Sequence, residues 1–257
     1  MSRQMRFALG FVVVLSACQA TITNGADDGD DVQQVDGGQQ VQIDAAEPDG
    51  AMIDAAPQCA LARSVYLNFE GQALTRATAS DATQNQAAWM NKANGTAPAF
   101  RAGSGNRAAD ITQITNGITM GLVGLGVTVV TTRPTTGPYM MVVFGGAAAQ
   151  VGSDYTGAVQ KLDCGNAVPS DVAWVADGVT PNQRVINFAL GAIGFGVGLT
   201  ATNDPNDCMC GWANGCQQTT NACSLSANIN RDNGAQQTCP NVTTQNEPQA
   251  IDQAFCP

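Results

Sequence analysis

The 257-residue sequence contains no histidine. Catalytic triads and dyads in which an imidazole is the general base, of the Ser-His-Asp or Cys-His kind, are therefore excluded. A zinc site built on histidine ligands is excluded for the same reason. Acid–base or metal chemistry in this chain would have to rely on carboxylates or thiolates.

Basic residues and long apolar runs are scarce as well. Lys and Arg number 11 against 21 Asp and Glu, and they form no cluster. This pattern excludes the electrostatic footprint of a nucleic-acid-binding protein. The two most apolar runs, residues 7–15 and 185–199, are shorter than the roughly 20 residues that a membrane-spanning helix needs.

The first eighteen residues have the pattern of an export signal. Arg3 and Arg6 precede the apolar run "FALGFVVVL", which is typical of a secretory signal peptide. The following "LSAC" (15–18) resembles a bacterial lipobox, which implies cleavage before Cys18 and acylation of its thiol. We therefore expect residues 1–17 to be a lipoprotein signal peptide and Cys18 to anchor the chain to a membrane by its lipid. An ordinary signal peptide with a chance cysteine is the alternative. Gln19 favours the outer membrane, on its periplasmic or surface face.

Residues 18–57 are predicted to be an acidic disordered tether. Residues 24–57 contain nine Asp or Glu and no Lys or Arg, in a background of Gln, Gly and Ala. Such a segment cannot bury enough apolar surface to fold, so a solvated linker is favoured over calcium binding by "DDGDD" (27–31). The remaining 200 residues suffice for a globular domain with a sizeable core.

Cysteine usage supports an oxidising compartment. If Cys18 carries lipid, an even number of eight cysteines remains, which predicts four disulfides with pairings that the sequence leaves open. A thiolate zinc cluster formed by Cys208, Cys210, Cys216 and Cys223 is the alternative. The disulfide candidates are Cys59, Cys164, Cys208, Cys210, Cys216, Cys223, Cys239 and Cys256.

The apolar periodicity of the folded part predicts an α+β fold, with a mixed sheet packed with helices and a disulfide-rich C-terminal tail. Strands are expected at 64–71, 127–133, 139–146 and 171–178. A helix is expected at 80–95, capped by Ser80 or Asp81, and another at 106–126. A third helix is expected from about 180 to 199, with Thr180 or Asn182 as its cap and Pro181 in its first turn.

The glycine-rich stretch "FALGAIGFGVGLTATND" (188–204) forms the end of that third helix. A dinucleotide-binding loop would need a preceding strand and a second βα unit; "VINF" (185–188) could be the strand, but Asp204 ends the apolar stretch and no second βα unit follows. The spacing of Gly194 and Gly198 matches a helix-dimerisation motif, but that motif applies only within lipid. A buried core helix is the plain interpretation.

The helix and the segment that follows it resemble the zinc site of the metzincin metallopeptidases. Their motif, HExxHxxGxxH, places two zinc-binding histidines one helical turn apart and a third after a glycine turn. "GAIGFGVGLTA" (191–201) fits this frame at Gly198 and Leu199. The later "NDPNDCM" resembles the approach to the family's methionine turn, with Met209 as the methionine. The pieces "VYLNFEG", "ITQITNGITMGLVGLGVTVVTTRPTTGPYMMVVFGG" and "LDCGNAVPSDVAWV" resemble its strand–helix–strand–strand framework, so the resemblance covers roughly residues 60–215.

The resemblance also shows at which positions the zinc ligands and the glutamate base of the family are absent. In its register Gly191 and Phe195 replace the first two zinc histidines, Ala201 replaces the third, and Ala192 replaces the glutamate base. None of these side chains offers a lone pair to zinc. We therefore expect a metallopeptidase-like domain at 58–203 that holds no metal or cofactor and has no peptidase activity, followed by a Cys-rich subdomain at 204–257.

The expected function is binding without catalysis. The former substrate cleft, with Phe195 on its floor, would take a peptide, a protein partner or an envelope polymer. An enzyme of unrelated chemistry on the same scaffold and a structural envelope lipoprotein are the alternatives. Asp204 and Asp207 could serve as an acid–base pair, but two carboxylates in such a segment are more typical of turns.

Overall fold

The computed structural model describes residues 63–212, 215–239 and 243–255. Its centre is a five-stranded sheet in the order β5-β1-β6-β8-β7, in which β7 alone runs antiparallel to its neighbour. The strands are β1 (Ser64–Asn68), β5 (Thr128–Val130), β6 (Tyr139–Phe144), β7 (Ala158–Val159) and β8 (Val172–Val175). Every residue of β6 and β8 is buried, as expected for parallel strands covered on both faces.

Two helices of fifteen residues, α1 (Arg107–Gly121) and α3 (Asn182–Gly196), pack against each other. Small residues allow this contact. A Cβ atom added to Gly117 of α1 would lie 2.9 Å from Cγ1 of Ile186, and one added to Gly121 would lie 2.7 Å from Cδ1 of Leu190. Ile186 and Leu190, one turn apart on α3, therefore fill the space left open by the glycines of α1.

The mixed architecture confirms the predicted α+β class, and the strand and helix predictions near β1, α1, β5, β6, β8 and α3 are confirmed with shorter bounds. The remaining helices are the short α2 (Ala148–Val151), α4 (Asn233–Thr238) and α5 (Glu247–Phe255). The last two belong to the tail, which is thus less loop-rich than expected. It also contains the two-stranded pair β9 (Ile229–Asn230) and β10 (Thr244–Gln245).

The predicted helix at 80–95 is wrong. Asp81 does cap a helical turn, since its Oδ1 accepts a hydrogen bond from Thr83 N (2.9 Å), but that 3₁₀ turn ends at Gln84. Asn85 then adopts a left-handed φ of 57°, which breaks the helix. The chain then forms β3 (Gln86–Ala87) and β4 (Asn94–Ala97), which pair with the earlier β2 (Gln72–Arg76) on either side to make a second sheet of three strands.

The predicted caps of α3 are also wrong. Pro181 occupies the N-cap position, Asn182 is the first helical residue, and no side chain caps the helix. The Asn182 amide instead accepts a hydrogen bond from Arg101 (2.6 Å) and donates one to Asp110 (2.9 Å). It therefore joins α3 to the segment preceding α1 and to α1 itself.

Three of the predicted disulfides lie within the described residues, linking Cys164 to Cys239, Cys208 to Cys223 and Cys210 to Cys216. The predictions for the signal segment, the tether, Cys18, Cys59 and Cys256 lie outside these residues. No helix among the described residues combines the length and the apolar character that crossing a membrane requires.

Candidate binding cleft along the buried helix

A cleft of about 910 Å³ runs along α3, within the size range of pockets that bind small molecules. Residues 155–160, which contain β7, form part of its lining. The side chains of Arg184 and Phe188 from the first half of α3, together with Phe195 and Trp212, also line it. The cleft therefore combines a strand edge with three aromatic rings from α3 and the segment that follows it.

Strand β7 and helix α3 run side by side in the same direction. A Cβ atom on Gly157 would lie 2.9 Å from the Phe188 ring, and a Cβ atom on Gly196 would lie 2.8 Å from Gln160 Nε2. Eight residues of helix rise about 12 Å, and three residues of strand span about 10 Å. The two elements therefore stay in contact from the start of β7 to its end.

The outer edge of β7 has main-chain groups available for pairing. Gly157 O accepts a hydrogen bond from Ala176 N (2.8 Å), on the side of β8. Because main-chain groups alternate in direction along an antiparallel ladder, the N–H and C=O of Ala158 point away from β8. No strand in the described part of the chain pairs with this edge.

The four positions that the metallopeptidase frame assigns to zinc chemistry are all buried: Gly191, Ala192, Phe195 and Ala201. Their residues do not fit a zinc ion, because none carries a donor atom in its side chain. Within the described ranges, no group of three or more His, Cys, Asp or Glu side chains is placed to hold a metal.

The indole of Trp212 occupies the space beside Gly191. A Cβ atom on Gly191 would lie 2.7 Å from Cε2 of Trp212 and 2.6 Å from the carbonyl oxygen of Cys208, closer than unbonded carbon and oxygen atoms approach. The Trp212 ring also packs on Phe195, with centroids 5.3 Å apart. The room that a histidine would need at position 191 is thus filled by Trp212, a residue that no sequence motif singles out.

The turn after α3 depends on one glycine. Gly198 has a φ of +90°, and Leu199 N donates a hydrogen bond to Gly194 O (2.9 Å) while Gly198 N donates one to Phe195 O (3.3 Å). These two bonds form a Schellman motif, which requires a left-handed residue after the helix. A residue with a Cβ atom would be strained at position 198 and would also approach Asp163 O to 2.8 Å.

Met209 is fully buried under α3. Its sulfur would lie 2.6 Å from a Cβ atom on Gly194. The position of Met209 is fixed by Asp207, whose Oδ1 accepts hydrogen bonds from Met209 N (2.8 Å) and from the Thr202 hydroxyl (3.1 Å). The glycine at 194 thus makes room for the methionine, as the glycine at 191 does for the tryptophan.

Asp204 and Asp207 both stabilise turns, as the sequence predicted. Asp204 is exposed and its Oδ1 accepts a hydrogen bond from Asn206 N (2.9 Å). Asp207 is fully buried, and no cleft residue is a carboxylate among those described. The two aspartates are therefore not placed to act as an acid–base pair on a bound ligand.

Asp207 instead meets a second buried carboxyl group that the sequence pattern did not reveal, that of Glu247 at the start of α5. Glu247 accepts hydrogen bonds from Ser226 N (2.8 Å) and from the Gln245 amide (2.7 Å). Burial, and then the charge of Asp207, raise the pKa of Glu247 to about 8. At neutral pH Glu247 is therefore mostly protonated, because burial and a neighbouring carboxylate both disfavour its charged form.

A further buried carboxyl group lies beside the last residue of α3. Asp171 precedes β8, and a Cβ atom on Gly196 would lie 3.2 Å from its Oδ2. Burial, and then the charge of Asp163, raise the pKa of Asp171 to about 7, while Arg63 opposes this shift.

Asn187 is the other buried polar residue that sequence reasoning missed. It lies inside the apolar run of α3, yet its amide donates to Asn221 O (2.7 Å) and accepts from Cys223 N (3.3 Å). A polar residue in a buried helix that binds two main-chain groups of a distant loop holds that loop in place. The sequence signal for this role is a single polar residue, Asn187, between Ile186 and Phe188 in an otherwise apolar run.

The cysteines at 208, 210, 216 and 223 are all in disulfides, so the alternative of a thiolate zinc cluster is wrong. Both bonds belong to the segment that carries Met209 and Trp212. They cross-link that segment internally, and the segment contacts α3 through Met209 and Trp212.

Comparison with known proteins adds no family assignment. No protein-family model matches the chain, and no curated protein matches its sequence.

Proposed function

We propose that this protein is an exported, lipid-anchored binding protein that takes an extended peptide segment into the cleft beside α3 without cleaving it. The observation that carries the proposal is the outer edge of β7, with which no described strand pairs, in the same cleft as four aromatic side chains, Tyr155, Phe188, Phe195 and Trp212. An extended peptide added to a sheet edge gains main-chain hydrogen bonds from the strand and side-chain contacts from the adjoining wall.

Trp212 is the side chain best suited to anchor the ligand. It is mostly buried, and its ring packs against Phe195. Tryptophan residues with these properties dominate the binding energy of many interfaces, because they offer a large, rigid apolar surface at little entropic cost.

The absence of catalysis in this proposal follows from side-chain chemistry. The resemblance to the metzincins is supported by the left-handed Gly198 after the helix and by Met209 beneath it, since both are features that the family motif requires. Gly191, Ala192, Phe195 and Ala201 supply neither zinc ligands nor a base, and Trp212 fills the space above Gly191. The lining of the cleft favours binding over an unrelated enzymatic chemistry, because it presents aromatic surface where catalysis would need converging carboxylates.

The proposed location rests on the N-terminal sequence. The signal segment and the "LSAC" motif predict export and acylation of Cys18. The three disulfides of the described residues support an oxidising compartment such as the bacterial periplasm or cell surface.

The experiment that tests the proposal is selection of a random octapeptide library against the purified full chain, followed by a comparison of two proline variants. In Ala158→Pro the lost N–H is the one that points outward, so the variant should fold but bind the selected peptides at least about tenfold more weakly. Val159→Pro is the matched variant, since its N–H faces β8 and its loss should instead destabilise the sheet. Equal binding by the wild type and Ala158→Pro, or no selected peptide at all, would contradict the proposal.

A further inference from the structure

We infer that the cleft selects peptides that present a carboxylate to Arg184, at the end of the cleft where β7 begins. This inference rests on the proposed peptide binding and adds the class of peptide. It starts from the charges of the cleft. Among the described residues that line it, Arg184 alone carries a charge at neutral pH, in a chain whose net charge is −10.

Arg184 differs from three other arginines of the domain, which have polar partners. Arg101 forms an ion pair with Asp110 (2.8 Å), and Arg107 forms one with Glu70 (2.8 Å). Arg133 donates hydrogen bonds to Tyr139 (2.7 Å) and to Asn85. The guanidinium of Arg184 has no ion pair and donates no hydrogen bond within the described ranges.

The guanidinium of Arg184, an exposed residue, packs on a ring of its own helix. It lies over the ring of Phe188, one helical turn further along α3, with its central carbon 5.3 Å from the ring centroid. The ring of Phe188 in turn packs on Gly157 at the start of β7. The cation therefore lies beside the strand edge, where no acceptor among the described residues takes its hydrogen-bond donors.

Arg184 also has no evident role in stabilising its own helix. It is the third residue of α3, near the positive end of the helix dipole, where a cation is unfavourable and an anion is favoured. The first turn of α3 contains no acidic residue. A cation kept at this end without a partner is suited to a carboxylate supplied by a ligand, which a guanidinium binds through two parallel hydrogen bonds.

The geometry of β7 places that carboxylate within the peptide. Arg184 lies about 6 Å along the helix axis before Phe188, which contacts Gly157. A peptide that pairs antiparallel with β7, the commoner arrangement, has its C-terminal end at this point. The carboxylate is therefore either the peptide's own C-terminus or an Asp or Glu side chain within one or two residues of the position that pairs with Ala158.

The test is a selection with octapeptide libraries that have either free or amidated C-termini, applied to the full chain and to two charge-reversal variants. The wild type should enrich Asp and Glu, or free C-termini, and Arg184→Glu should enrich Lys and Arg in their place. Arg76→Glu, an exposed arginine on β2, is the control and should enrich the same peptides as the wild type. Enrichment of Asp and Glu in amidated peptides assigns the carboxylate to a side chain, and enrichment only of free C-termini assigns it to the chain end.

A titration of tryptophan fluorescence with the best peptide and with its neutral amide analogue completes the test. Arg184→Gln should weaken binding of the carboxylate peptide about tenfold and leave binding of the analogue unchanged. Identical peptide preferences in the wild type and Arg184→Glu would overturn the inference while leaving the proposed function standing. If neither protein selects any peptide, the proposed function fails, and the inference fails with it.

Discussion

Helices α1 and α3 have the same length and pack on each other, yet they differ sharply in burial. Two residues of α1 are buried, Ile114 and Ile118, whereas eleven of the fifteen residues of α3 are buried. α1 is an ordinary amphipathic helix at the surface of the domain. α3 is covered by α1 on one side and by the disulfide-bonded segment after residue 204 on another.

This difference explains the composition of α3. Besides the central sheet, α3 contacts three neighbours at helical spacing: Ile186 and Leu190 pack on α1, Asn187, Gly191 and Gly194 meet the disulfide-bonded segment, and Arg184, Phe188 and Phe195 line the cleft. Glycine occurs where a neighbouring ring or sulfur needs the space. The substitutions below change each side of this comparison, from the largest expected effect to the smallest.

The two disulfides of the segment that carries Met209 and Trp212 should have the largest effect on stability among these substitutions. Replacing Cys208 and Cys223 together by alanine opens a loop with a sequence separation of 15 and should lower the free energy of unfolding by about 3 kcal/mol. The pair Cys210 and Cys216, with a separation of 6, should cost about 2 kcal/mol. Urea unfolding followed by circular dichroism measures both, and equal or reversed losses would contradict the assignment.

Gly191→Ala should destabilise the protein by about 2 kcal/mol, although alanine is the better helix former. The added methyl group meets the rigid Trp212 ring and the Cys208 carbonyl. Gly121→Ala in α1 is the matched variant, because its methyl group meets the flexible end of Leu190, and its net effect should be near zero. Thermal unfolding distinguishes the two, and a neutral Gly191→Ala would show that Trp212 does not pack on α3.

The buried carboxyl pair should make stability decrease as the pH rises. Because the folded pKa of Glu247 lies above its unfolded value, the folded state binds more protons between about pH 4.5 and pH 8, and its contribution is complete only below that window. The pKa of Asp171, raised to about 7, adds a slope of the same sign.

Asp207→Asn should reduce that slope, since the asparagine keeps the oxygen that Met209 and Thr202 bind and removes the charge that raises the pKa of Glu247. We expect it to stabilise the protein by about 1 kcal/mol at pH 8 and to have little effect at pH 5. Asp252→Asn, on the exposed face of α5, is the control and should leave the slope unchanged. A steeper slope in Asp207→Asn would contradict the effect of the Asp207 charge on Glu247.

The smallest effect is expected at the surface of α1. Met120 is 68% exposed, so Met120→Ser should change the free energy of unfolding by less than about 0.5 kcal/mol. The same substitution at Ile118, which is fully buried nearby on the same helix, should cost several times more. Similar losses at the two positions in urea unfolding would show that α1 is covered in solution.

The sequence predicts the elements whose pattern is local. The apolar run of β6 and the spacing of Ile114 and Ile118 identify a buried strand and an amphipathic helix. The segment at 80–95 could not be predicted in this way, because its structure depends on hydrogen bonds to residues outside it. Thr75 N donates to Asn85 O (3.0 Å), and Arg76 N donates to Ala93 O (2.9 Å). These hydrogen bonds to β2 replace the helix that the local propensities favour.

The candidate site was predictable only in part. The register of the metallopeptidase motif indicates Gly191, Phe195 and Met209, and all three lie in α3 or against it. Trp212, Arg184 and Glu247 were not identified, since their roles depend on which residues meet across the fold. A single Trp, Arg or Glu has no spacing pattern that would indicate such a contact.

The most direct test of the central claim is native mass spectrometry of the full chain mixed with zinc and its best selected octapeptide. Binding without cleavage predicts a complex of one chain with one intact peptide and no retained zinc. A stoichiometric zinc ion in the complex, or shorter fragments of the peptide, would contradict it.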